Sequence, residues 1–216
     1  MAWVGLFGGT FNPIHNGHLK VAEQALEHFP LNRLLFIPSY LPPHKESREL
    51  AAVEHRLKMV ELACRRDRRF EVCDVEIRTP QTSYSILTLR KMKEIYLDHF
   101  FLFILGVDAF LEIDTWKDYP RLFEECSFIV VKRPGFDLGL IKKKIKQLQE
   151  KGVKAKAGEP PPRQDNFSCG QVFLLDVETP DISSSEIRKR IQSGLPIDGL
   201  VPEEVAEYIK KYNLYR

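Results

Sequence analysis

The sequence has little that would place it in a membrane or in an oxidising compartment. No apolar run approaches the roughly 20 residues that a bilayer-spanning helix needs. The opening residues Met1-Ala2-Trp3-Val4-Gly5 carry neither the basic segment nor the cleavage site of a secretory signal. Only four cysteines occur in 216 residues (Cys64, Cys73, Cys126 and Cys169), and none forms a Cys-x-x-Cys pair. Free or buried thiols in the cytoplasm are the expectation. Charge of one sign is also missing. Thirty-two basic residues against 30 acidic ones leave a formal charge of +2. That balance gives no overall field for a nucleic-acid polymer, so any anion site must be local.

The composition is otherwise that of a globular protein, with 44% apolar and 29% charged residues. The length suits one α/β domain over residues 1–216 with a substantial core. Short β-rich runs alternate with helical periodicity. Trp3–Phe7, Leu34–Ile37, Phe70–Ile77, Phe100–Leu105, Ser127–Val131 and Gln171–Leu175 read as strands, the fourth and fifth almost wholly apolar, as central parallel strands are. Leu19–His28, Val53–Cys64, Tyr84–Tyr96, Leu140–Lys151, Ser184–Ser193 and Pro202–Tyr212 read as helices. Ser83 stands where the cap of the third helix would sit. Residues 38–47 and the Pro-rich stretch Gly152–Gly170 read as loops. Strands alternating with helices imply a doubly wound, mainly parallel sheet, with ligands bound outside the carboxyl ends of the strands.

The chemistry concentrates in Gly8-Gly9-Thr10-Phe11-Asn12-Pro13-Ile14-His15-Asn16-Gly17-His18. Glycines at the end of a strand let the backbone turn and bring amides toward an anion. His15 and His18 stand at the mouth of the next helix, whose amides and dipole favour phosphate. Imidazoles placed there can donate to phosphoryl oxygens as charge develops. A zinc site built from His15, His18 and His44 is the alternative, but no cysteine or acidic ligand lies nearby in the sequence. Far downstream, Ile182-Ser183-Ser184-Ser185-Glu186-Ile187-Arg188 sets hydroxyls and amides at a helix start, with Arg188 one turn later to grip phosphate.

The first string resembles the Gly-x-Phe-x-Pro-x-His-x-Gly-His signature of the nucleotidylyltransferase superfamily, and the second its Ile-Ser-x-Thr/Ser-x-x-Arg motif. The rest of the chain is similar to one branch, the bacterial nicotinate-nucleotide adenylyltransferases. Pro42-Pro43-His44-Lys45, Ser83-Tyr84-Ser85, Gly106-Val107-Asp108, Thr115-Trp116 and Lys132-Arg133-Pro134-Gly135 carry that likeness. Ser85 and Ser185 stand where the family has Thr more often, and both keep the hydroxyl. Lys91-Met92-Lys93-Glu94 faintly resembles a loop of the class I aminoacyl-tRNA synthetases, but it falls inside a periodic helix and reads as a solvated face.

The resemblance implies a Rossmann-like nucleotidylyltransferase fold with C-terminal helices. It implies that ATP and nicotinate mononucleotide give nicotinate adenine dinucleotide and pyrophosphate without a covalent enzyme intermediate. Magnesium would be bound mainly through the ATP phosphates. His15, His18 and Arg188 would be catalytic. Gly8, Gly9, Thr10, Phe11, Gly106, Asp108, Ile182, Ser183 and Ser185, with His18 and Arg188, would line the ATP site. Lys45, Ser83, Tyr84, Ser85, Trp116 and Arg133 would hold the pyridine nucleotide. Each has a physical rationale: Trp116 can stack on a pyridine, the amides at Ser83–Ser85 can bind a carboxylate, Asp108 can accept from ribose hydroxyls, and Lys45 can reach phosphate. Plainer roles stand beside these, as a core Trp, helix caps or a surface lysine. Another transferase, such as a pantetheine-phosphate or cytidylyl transferase, is the rival within the superfamily. A non-catalytic nucleotide-binding regulator is the rival outside it. Self-association is compatible with all of these readings.

Overall fold

The computed structural model describes residues 2–42, 50–79, 81–132, 137–159, 168–177 and 182–216. Seven strands form one sheet: β1 (Ala2–Gly9), β2 (Arg33–Pro38), β3 (Phe70–Val72), β4 (His99–Gly106), β5 (Ser127–Lys132), β6 (Lys156–Gly158) and β7 (Gln171–Asp176). Every adjacent pair is parallel, in the order β3-β2-β1-β4-β5-β7-β6. The α-helices are α1 (Asn16–His28), α2 (Val53–Cys64), α3 (Ser85–Ile95), α4 (Val107–Leu111), α5 (Tyr119–Glu125), α6 (Leu138–Glu150), α7 (Ser184–Gln192) and α8 (Glu203–Lys211).

Successive side chains of a strand point to opposite faces, so a central parallel strand must be apolar at every position. In β4, Leu102 and Ile104 join the core under α1, α2, α7 and α8, whereas Phe101, Phe103 and Leu105 join the core under α3 to α6. Neighbouring β1 divides in the same way, with Trp3 and Phe7 on the first face and Val4 and Leu6 on the second. The chain winds from β1 outward through β2 to β3, then returns to place β4 on the other side of β1. That reversal opens a crevice at the carboxyl ends of β1 and β4, where such sheets bind ligands. Among the described residues no helix is long and apolar enough to cross a membrane.

The structure differs from the sequence expectations at several places. The third strand stops at Val72, because the backbone turns at Asp74–Arg78, where Arg78 Nε meets Asp74 Oδ2 at 2.7 Å. Part of the expected loop 152–170 is strand β6, a three-residue edge of Lys156, Ala157 and Gly158 that is too short to show alternation. Helix α1 starts at Asn16, before any apolar repeat becomes visible. Helices α4 and α5, of five and seven residues, were not anticipated; they are too short to show a period. Ser83 does not cap α3. Tyr84 is the N-cap, and the Ser83 hydroxyl accepts from the Tyr40 amide at 3.0 Å.

Candidate active site

The segment after β1 folds differently from the glycine turn expected of it. Gly8 and Gly9 are still strand residues, paired with Ile37 and Pro38. The turn comes later, at Phe11 with φ +46° and at the cis peptide between Asn12 and Pro13. Gly9 is required for a different reason: a Cβ there would lie 2.8 Å from the Phe11 ring. The turn folds back onto its own strand, and Phe11 becomes a buried wall. Its ring meets His18 edge-on at a centroid distance of 5.2 Å. Phe11 therefore supports the site from behind, and neither it nor Gly8, Gly9 or Thr10 lines the cleft described below.

His15 is the N-cap of α1 and His18 lies in its first turn. The His15 amide donates to His18 Nδ1 at 3.2 Å. A ring that accepts at Nδ1 carries its proton on Nε2, so His18 is a donor at that atom. The two rings are stacked, with centroids 3.7 Å apart and planes tilted by 31°. Gly17 makes room for this pair, since a Cβ there would come within 3.0 Å of His15 Nδ1. His15 is only 7% exposed, and burial pushes its pKa down to about 4. At neutral pH it is an uncharged wall behind His18.

Helix α7 closes the crevice from the other end of the chain. Ser183 caps it by accepting from the Glu186 amide at 3.1 Å. Ser184 donates to the Pro13 carbonyl at 2.9 Å, and Arg188 Nη1 donates to the Asn12 carbonyl at 3.0 Å. Two motifs more than 160 residues apart are thus stapled together. The Asn16 side chain adds a bond to the Gly199 carbonyl at 2.8 Å, tying α1 to the C-terminal segment.

These elements surround a cleft of about 360 Å³ at the carboxyl ends of β1, β4 and β5. Of the expected ATP-site residues, His18, Gly106, Ile182, Ser183, Ser185 and Arg188 line it, beside His15, which was expected to be catalytic; Asp108 does not, and sits in the first turn of α4. The donors converging here are imidazole, guanidinium, hydroxyl and the open amide end of α7. That set recognises phosphate oxygens. It does not resemble a cage for a hard dication, which takes oxygen ligands. Among the described residues no three of His, Cys, Asp and Glu gather as metal ligands.

The residues expected at the pyridine nucleotide form a second group. Tyr84 meets the Thr115-Trp116 segment through Lys117, whose ammonium lies 4.6 Å from the Tyr84 ring centroid. Arg90 of α3 pairs with Asp118 at 3.1 Å. Trp116 is half-buried against the core under α3 to α6, so it shares the plainer role of a core Trp. Its segment is held from below: Asp114, two residues earlier, pairs with the buried Lys144 and with Lys151, the latter at 3.0 Å. Lys45, His44 and Arg133 lie outside the described residues.

Three participants were missed. Lys132, at the end of β5, lines the cleft and pairs with Asp176 at 2.8 Å. Its position directly before Arg133 was the available signal. Glu76 lies under the start of α3, and its carboxylate accepts from the Thr88 hydroxyl at 2.6 Å. Burial raises its pKa, against hydrogen bonds from Ser83 and Thr88. No periodicity points to it. Arg56 is 1% exposed. It could have been found, because Arg56, Met59, Val60 and Ala63 mark the buried stripe of α2, and an arginine on such a stripe must have partners.

The chain is similar to known proteins over its whole length. The family model described as cytidylyltransferase-like matches residues 6–190. A "Probable nicotinate-nucleotide adenylyltransferase" of Citrifermentans bemidjiense is 42% identical, with 98% of this chain and 97% of the relative covered. A protein of the same name from Desulfitobacterium hafniense is 39% identical, with 99% and 95% covered. Among solved structures, the nicotinic acid mononucleotide adenylyltransferase of Plasmodium falciparum complexed with NaAD has a TM-score of 0.75 at 21% identity. It covers 100% of this chain and 98% of its own, and it shares the fold. With the two sequence motifs joined in one cleft, these relations show that the chain belongs to the nicotinate-nucleotide adenylyltransferases, within the cytidylyltransferase-like family.

Proposed function

We propose that this protein, acting as a single domain, transfers the adenylyl group of ATP to nicotinate mononucleotide. The products are nicotinate adenine dinucleotide and pyrophosphate, and the reaction is a step of NAD biosynthesis. The observation that carries the reading is the meeting of His18 and Arg188 across one cleft at the switch point of the sheet. The acceptor's phosphate oxygen attacks the α-phosphorus, the new P–O bond forms, and the bond to pyrophosphate breaks. The attacking oxygen belongs to the substrate, so no nucleophilic side chain is needed, and the protein's work is positioning and charge stabilisation.

His18 donates through Nε2 to the phosphoryl oxygens that gain charge, with His15 holding its ring in place. Arg188 and the amides after Ser183 hold the ATP phosphates, and Lys132 adds a cation at the rim. Lys45 and Arg133 contribute further cations, Asp108 addresses the ribose, and the helix start at Ser83–Ser85 with Trp116 takes the pyridine end. The cleft's donor set suits phosphate better than metal, so magnesium enters on the nucleotide and screens its charge. A cytoplasmic location goes with this reading, since Cys64, Cys73, Cys126 and Cys169 are free thiols.

Pyrophosphate release tests the assignment. The protein is incubated with ATP, magnesium and, in turn, nicotinate mononucleotide, nicotinamide mononucleotide, phosphopantetheine or no acceptor. Release that depends on nicotinate mononucleotide supports the reading. Release only with phosphopantetheine, or binding of ATP without release, would replace it with one of the rivals.

A further inference from the structure

Arg56 is the most buried charged group among the described residues, and it touches no part of the cleft. A guanidinium in that position is costly unless its N–H groups are matched. Here they are matched to four carbonyls. Nη1 donates to Thr10 at 2.9 Å and to Ser39 at 2.7 Å, Nη2 to Tyr40 at 3.1 Å, and Nε to Ala51 at 3.2 Å. Thr10 belongs to the turn that places His15, His18 and the partner carbonyls of Ser184 and Arg188. Ser39 and Tyr40 belong to the exit from β2. The two loops also touch directly, the Ser39 amide donating to the Gly9 carbonyl at 2.9 Å, and the Ala51 amide bonds Asn12 Oδ1 at 3.0 Å.

The network runs on toward the pyridine end. The Tyr40 amide donates to the Ser83 hydroxyl, the Ser83 amide to the Leu41 carbonyl at 3.0 Å, and Leu41 bridges to Thr82. Beyond them Glu76 receives the hydroxyl of Thr88 in α3. One planar cation thus braces the chain leaving β1 against the chain leaving β2, just past the last residue pair of the two strands, Gly9 and Pro38.

We propose that Arg56 is a positioning residue for the transfer. It fixes the ATP-side turn at Thr10–Asn12 relative to the Ser39–Tyr40 exit and, through it, the Ser83 helix start. The acceptor phosphate and the α-phosphorus then meet in line. The inference rests on the adenylyl-transfer reading above. In-line displacement is sensitive to such placement, since a shift of about 1 Å can cost about 10²-fold in rate.

The test compares wild-type protein with Arg56→Lys, which keeps the charge but cannot span four carbonyls. Arg56→Gln, which buries no charge, takes its place if the lysine variant does not fold. The proposal expects kcat to fall by about 10²-fold while KM for each substrate stays within about threefold, because neither substrate loses a direct contact. It also expects amide hydrogen exchange at residues 10–12 and 39–41 to speed about tenfold in the substrate-free protein, with β4 unchanged. A kcat per folded molecule equal to wild type, or unchanged exchange at both loops, overturns it. If wild-type protein releases no pyrophosphate with nicotinate mononucleotide, the functional reading falls, while the exchange comparison still decides whether Arg56 holds the two loops together.

Discussion

The His15 and His18 rings lie 3.7 Å apart, yet only His15 is buried. Stacking and a shared helix start leave the two imidazoles with different chemistry. One is kept neutral by its surroundings, and the other is oriented by a backbone amide toward the cleft.

The buried ring gives a pH dependence of stability. An unfolded imidazole binds its proton near 6.5, and folded His15 binds it only near 4. Between those values the unfolded chain holds more protons, so stability is fully present above pH 6.5 and is lost as pH falls toward 4. At pH 5 the loss from this group is about 2 kcal/mol. Urea midpoints at pH 7 and pH 5 measure it. His15→Asn, which keeps a side chain that favours the cap position, flattens the difference. Equal slopes in both proteins would show that His15 is not the titrating group.

His18 carries the catalytic prediction. Losing one preorganised donor to a developing charge costs about 2.7–4 kcal/mol, or 10²–10³-fold in kcat. His18→Ala is expected to lose that much, while the Phe7, Phe11 and Phe36 rings behind it hold the fold. Near-normal turnover in a folded variant would remove His18 from the mechanism.

Trp116 divides the two substrates. It is half-buried, and its segment is anchored on α6 through Asp114, Lys144 and Lys151. Trp116→Ala is expected to weaken the pyridine nucleotide by about tenfold or more, from stacking worth roughly 1–3 kcal/mol, and ATP far less. Dissociation constants for each ligand alone decide it. Equal weakening, or unfolding, would leave Trp116 a core residue only.

Much of this molecule was legible because its physics is local. The apolar runs at Phe100–Leu105 and Ser127–Val131, read as central strands, are strands β4 and β5, and Val53–Cys64 forms a helix over the range its period indicates. The cleft residues His15, His18, Ile182, Ser183, Ser185 and Arg188 were legible as motifs, and the fold joins them. What stayed hidden depends on long-range partners. That Gly9 serves the Phe11 ring, that Ser83 receives the Tyr40 amide, and that Arg56 finds four carbonyls are facts of tertiary contact. Helices α4 and α5 and strand β6 are too short to carry a period, so neighbours place them where propensity alone is silent.

The last prediction concerns the acid and amide forms of the pyridine nucleotide. Helix α3 begins at Ser85, and Tyr84 gives it no side-chain cap, so the amides of Ser85 and Ile86 receive no cap oxygen. Those donors and the helix dipole favour a carboxylate at this end. A carboxamide would turn its NH₂ toward donors and leave them unsatisfied, at roughly 1–3 kcal/mol. No acidic residue lies between Pro80 and Lys93 to receive that NH₂. The fold, however, brings Glu76 beneath the same helix, which a reading of that stretch alone could not show. Its carboxylate is engaged by Thr88 on the inner side of the helix start, and burial already disfavours its charge. The amides therefore outweigh it. Nicotinate mononucleotide should be preferred over nicotinamide mononucleotide by at least about tenfold in kcat/KM, equal to roughly 1.4 kcal/mol. Glu76→Gln separates the two contributions. If the amides set the preference, the variant keeps it or sharpens it. Equal kcat/KM for the two nucleotides in the wild type, or a preference that collapses in the variant, would show that this helix start does not read the ring substituent.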